Sequence, residues 1–150
     1  MNRVVSASRV INADPHTIFV VLSDASLHPT LDGSGTVRAS TGVEQRLTLG
    51  SKFAMKMLWG IPYTISSTVV EFEPDRRIAW AHLGKHRWRY QLEPHDDNST
   101  LVIESFDYST AVSPRALELI GAPKRNLASI ERTLERLDAF VTHRSGALQP

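Results

Sequence analysis

Three side chains in this sequence have the types and surroundings that acid–base chemistry needs: Glu104, His82 and Tyr90. Glu104 stands between Val102 and Phe106 in a run of β-forming residues. If that phase of the strand faces an apolar interior, the carboxyl is desolvated and its pKa rises, as a general acid or base near neutral pH requires. Asp107 occupies the opposite phase, and a regular strand turns only one of the two inward. The large neighbours Phe106 and Tyr108 favour Glu104. The competing reading is a carboxylate at a sheet rim, paired with Arg89 or another base. His82 and His86 face each other if the chain turns back between them, and two neutral imidazoles make half a metal site. No third ligand stands at a convincing spacing, so they read as polar edge residues, and no metal or other cofactor is expected. His28, near Asp32, is a candidate for a cavity mouth, where it would hydrogen-bond a ligand.

Whether large rings accompany these groups depends on the register of the hairpin from Arg76 to Leu92. With Leu83-Gly84-Lys85 as the loop, His82 opposes His86, Trp80 opposes Trp88, and Ile78 opposes Tyr90. A two-residue Gly84-Lys85 turn is the alternative, but it sets Trp88 and Tyr90 on the face that carries Arg77. Burial favours the first register. Trp and Tyr on one concave face offer apolar surface with polar handles, the usual lining of a ligand pocket. Phe53, Met55 and Met57, with Trp59 beside its turn, and Phe106 extend that surface. The expected ligand-binding set is therefore Phe53, Met55, Met57, Trp59, Ile78, Trp80, Trp88, Tyr90, Phe106 and His28. The plainer alternative is that these rings only fill a core between sheet and helix.

The elements that must position these residues follow from local pattern. Arg3 to Ile11 alternates as a strand. Asp14 as N-cap and Pro15 at the first helical position then start a helix with an apolar stripe of Ile18, Phe19, Val21 and Leu22. Ser23-Asp24 offers a second cap for a short helical piece before Pro29, and Asp32-Gly33-Ser34-Gly35 then breaks the chain. From Thr36 to about Thr110, β-forming segments alternate with turn residues, which predicts six consecutive antiparallel strands; the connections are too short for helical crossovers. Beyond Pro114 the period is helical, with a break at Gly121-Ala122-Pro123 and a stripe of Leu127, Ile130, Leu134, Leu137 and Val141.

The 150 residues fit one domain, read as 1–144 with a frayed, flexible tail at 145–150. Cysteine is absent, which excludes disulfides and thiolate chemistry. Seventeen basic residues against sixteen acidic ones, interleaved along the chain, give no electrostatic case for nucleic acid. No export signal or membrane-length apolar run is visible, so a soluble cytoplasmic protein, monomer or homodimer, is expected. Nucleotide-binding, serine-hydrolase and zincin motifs are missing.

Val10-Ile11-Asn12-Ala13-Asp14-Pro15, the segment from Val69 to Trp80, and Trp88 to Pro94 followed by Asn98 to Val102 resemble the START-like (SRPBCC) superfamily, in its bacterial polyketide cyclase/dehydrase-like branch. The resemblance covers nearly the whole chain. It implies an α+β helix-grip fold of the Bet v 1 type, β-α-α-β6-α, in which a curved antiparallel sheet and a long C-terminal helix enclose a deep cavity. It is specific for fold and supplies no fixed catalytic residue. The expected function is binding of a small hydrophobic molecule, such as a lipid, polyketide or isoprenoid-like compound. One alternative is a polyketide cyclase or dehydratase using Glu104, His82 or Tyr90; another is a regulatory or toxin-like interaction module.

Overall fold

The structure, a computed structural model, describes residues 2–35, 37–41 and 46–147, with 38–41, 59 and 144–147 described by backbone alone. Strand β1 (Val4–Ile11) runs into α1 (Pro15–Leu22), where the Asp14 carboxylate accepts from the Thr17 amide at 2.7 Å. That bond satisfies one of the helix's free amides. Ser23 ends α1, and Asp24 caps a 3₁₀ turn at Ala25–Leu27 that leads into α2 (His28–Leu31).

Six strands follow: β2 (Val37–Thr41), β3 (Lys52–Trp59), β4 (Ile61–Glu73), β5 (Arg77–Ala81), β6 (Arg87–Asp96) and β7 (Ser99–Asp107). Each pairs antiparallel with its sequence neighbour, and β1 closes on β7, giving one seven-stranded sheet in the order β1-β7-β6-β5-β4-β3-β2. The expected element order and the α+β class are both present.

Helix α3 (Pro114–Leu119) stops at Gly121, whose φ of +72° is a conformation glycine adopts without strain. The long α4 (Ala122–Ala147) then lies across β1 and β7. Ile130, Leu134, Leu137 and Val141 of the expected stripe are fully buried, each contributing roughly 1.5–3 kcal/mol. They join Ile11, Ile18, Leu22, Ile78 and Val102 in one core. Helix α4 continues to Ala147, past the expected start of the tail at Ser145; residues 148–150 lie outside the described residues.

The other face of the sheet is polar. The Glu71 carboxylate accepts from Arg89 at 2.7 Å and Arg87 at 2.8 Å, and Arg89 also reaches Asp107 at 3.3 Å. Arg89 therefore pairs with Glu71 and Asp107, not with Glu104. Among the described residues no helix is long and apolar enough to cross a membrane.

Candidate functional site

The concave face of β5, β6 and β7 is organised in cross-strand rows. Ile78, Tyr90 and Glu104 stand opposite one another, and Trp80, Trp88 and Phe106 form the next row. This is the register with Leu83-Gly84-Lys85 at the loop. The Lys85 amide closes the turn onto the His82 carbonyl at 2.9 Å, with Lys85 itself at φ +64°. Beyond the strands His82 and His86 continue the pattern, their rings 5.4 Å apart and edge to face. Successive rows are two residues apart along each strand, about 7 Å.

Apart from Ile78, the residues of these rows floor a cavity of about 440 Å³ between the sheet, the α2–β2 connection and α4. That volume lies in the range of small-molecule sites. Phe53, Met55, Met57, Trp80, Trp88, Tyr90 and Phe106 all line it, as do His28, His82, His86 and Glu104. The Trp88 and Phe106 centroids are 4.9 Å apart, and Phe53 meets Trp80 edge to face at 5.7 Å. Ile78 is a correction to the expected set. It shares the row of Tyr90 and Glu104, but it is completely buried in the core cluster with Phe19, Leu22 and Ile130 and does not reach the cavity. The Trp59 side chain lies outside the described residues.

Glu104 is 3 % exposed. Burial pushes its carboxyl well above the ordinary range; a hydrogen bond with Tyr90 opposes this, and the nearby Asp32 carboxylate adds to it. Tyr90 is pushed up as well, by burial and then by Glu104. Both shifts favour the protonated, neutral forms of the two groups in the cavity wall. Glu104 Oε2 is buried and has no hydrogen-bond partner.

The histidines are neutral for the same physical reason. Burial lowers His82 to about 4, with repulsion from His86 adding to the effect, and burial also lowers His86 and His28. His82 Nδ1 shares a 2.6 Å hydrogen bond with Ser67 Oγ. His28 places Nε2 2.9 Å from the Leu22 carbonyl. A carbonyl only accepts, so Nε2 carries the hydrogen and is committed there. His28 thus lines the wall through its ring, stacked on Trp80, while its Nε2–H serves the fold. Among the described residues no three His, Asp or Glu side chains gather to hold a metal ion.

Sequence reasoning missed Asp32 and Ser67 as cavity residues. Ser67 lies directly opposite Phe53 in the β3–β4 register, so assigning Phe53 to the concave face carried Ser67 with it. Asp32 belongs to a connection held from α4. The Gly33 amide donates to Thr133 Oγ1 at 2.8 Å, Arg132 Nε to the Gly33 carbonyl at 2.7 Å, and Arg136 Nη1 to the Asp32 carbonyl at 2.6 Å. No local pattern announces these contacts.

The family model described as polyketide cyclase / dehydrase and lipid transport matches residues 2–141. The uncharacterized protein Rv0088 of Mycobacterium tuberculosis (strain H37Rv) is 40% identical over 138 residues, which is 89% of this chain and 62% of the relative. The chain thus spans less than two thirds of that relative's length. Among solved structures, protein NE0264 from Nitrosomonas europaea superposes with a TM-score of 0.72 at 12% identity, over 95% of this chain and 96% of the other. A Rhodobacter sphaeroides protein gives 0.69 at 21% identity, over 97% and 93%. Such identities speak to the fold alone. The family match spans almost every residue from β1 to the buried part of α4, and the chain belongs to the polyketide cyclase / dehydrase and lipid transport family.

Proposed function

We propose that this domain binds a small hydrophobic molecule in the chamber between the sheet and α4. The observation that carries the reading is a cavity of about 440 Å³ whose lining surface is mostly apolar, with Trp80, Trp88, Phe53 and Phe106 in its wall beside polar groups that include Glu104, Tyr90, His82 and Asp32. The family description, which includes lipid transport, supports the same class of ligand. A neutral fluorescent probe, N-phenyl-1-naphthylamine, should bind the purified protein with enhanced emission and quench Trp80 and Trp88. Native mass spectrometry should show an apolar compound carried through purification. A protein that neither takes up the probe nor carries such a compound does not have this function.

One observation favours a second, catalytic reading. Glu104 and Tyr90 stand directly opposite each other in the chamber wall, and burial favours the protonated form of both. Such a pair suits protonation of a developing enolate or alkoxide in a cyclisation or dehydration. Turnover of a polyketide-like substrate that disappears in both Glu104→Gln and Tyr90→Phe supports this reading; unchanged turnover in both removes it.

A further inference from the structure

Within the ligand-binding reading, we propose that the chamber selects apolar molecules bearing a neutral carbonyl, seats that carbonyl oxygen against the Glu104 carboxyl, and excludes the corresponding carboxylates. The selection rests on the chamber accepting an apolar ligand at all.

The geometry supplies one unused donor at a defined depth. Glu104 sits mid-strand in β7, opposite Tyr90, lines the cavity and is almost wholly buried. Tyr90 stands directly across from it and favours the ionised form, opposing the effect of burial, while Oε2 is left without a hydrogen-bond partner. Among the described residues, the charge that acts on this carboxyl is the negative one of Asp32; Arg125 lines the same cavity but is not among the groups that act on Glu104. A carboxyl in that setting retains its proton and presents O–H to the chamber. An oxygen acceptor with no charge of its own completes that hydrogen bond. A carboxylate brings a second negative charge toward Asp32 in apolar surroundings, where repulsion between like charges is strong. The row of Trp80, Trp88 and Phe106, one step along the strands, takes the apolar body that follows the carbonyl. An alkane fills the same space but leaves the Glu104 donor unmet, and a site built to hydrogen-bond rejects a partner that lacks the group.

Competition against bound N-phenyl-1-naphthylamine at pH 7 tests this with three matched probes: 2-undecanone, undecane and undecanoate. The ketone should displace the dye at concentrations lower by roughly tenfold than either of the others. In Glu104→Leu the advantage of the ketone over the alkane should fall below about threefold, while Glu104→Gln, which keeps an N–H donor in place, should preserve it. Undecanoate displacing the dye as well as the ketone overturns the proposal, and so does a ketone preference that survives Glu104→Leu. The wild-type comparison of ketone with carboxylate decides the matter even if Glu104→Leu fails to fold. Equal displacement by all three compounds removes the selection and leaves the apolar chamber standing, whereas failure of the dye to bind removes both.

Discussion

The His28 imidazole lies against the Trp80 indole with centroids 4.6 Å apart and planes 23° from parallel. Together with the bond from Nε2 to the Leu22 carbonyl, this contact fastens α2 to both β5 and the end of α1. His28 is therefore one of the residues that hold the chamber wall at that side. His28→Ala removes the stack and leaves a carbonyl unmet, and should cost about 1–3 kcal/mol. Urea unfolding of the variant measures this directly; a cost under about 0.5 kcal/mol, the range of ordinary surface changes, contradicts it.

Glu104 should weaken the fold as pH rises. Its folded-state pKa is raised above the unfolded value of 4.5 by burial. Its contribution is therefore fully present below 4.5 and is lost as pH rises toward the folded value. Glu104→Gln has no such loss. Its Tm should exceed that of the wild type at pH 8 by several degrees, at roughly 2–4 °C per kcal/mol, and the gap should narrow toward pH 4.5. A gap that stays constant across this range removes Glu104 as the titrating group.

His82 has the opposite sign. Its folded-state value is lowered from 6.5 to about 4, so its stabilising contribution is complete above 6.5 and is lost as pH falls toward 4. The full effect is at most about 3 kcal/mol. His82→Gln keeps a partner for Ser67 and should flatten the acid side of the stability curve between pH 6.5 and 4, as chemical denaturation at a series of pH values will report. An equally steep acid limb in the variant assigns the loss to His28 and His86, which burial lowers as well.

Gly33→Ala should be costly although the residue needs no unusual φ. A Cβ there would stand 2.5 Å from the Ser129 carbonyl oxygen, 2.6 Å from Arg132 Cβ and 2.6 Å from the Thr133 nitrogen. Two of these neighbours are helix backbone and cannot swing aside. Lifting the connection off α4 should destabilise by about 1–3 kcal/mol. It should also speed exchange of the amide at position 33, which in the unsubstituted chain donates to Thr133, in hydrogen-exchange measurements.

Much of this site was readable along the chain because it lies on strands, where phase and register follow from neighbours. The inward turn of Glu104 followed from the size of Phe106 and Tyr108, and the hairpin register from keeping Trp88 and Tyr90 off the Arg77 face. Ile78 shows the limit of that reasoning. Phase places a side chain on the concave face, but what covers it is decided by where α1 and α4 pack. The same holds for Asp32 and Gly33. Their partners lie about a hundred residues away on α4, and the stretch itself reads only as a chain break. Ser67 was within reach through its pairing with Phe53.

Arg132 and Arg136 are outward-facing residues one helical turn apart, and neither borders the ligand space. Their grip on the carbonyls of Gly33 and Asp32 nevertheless fixes where the Asp32 charge stands within the chamber. The proton affinity of the interior is thus governed partly from the solvent side of the molecule, by guanidinium groups that no bound molecule touches.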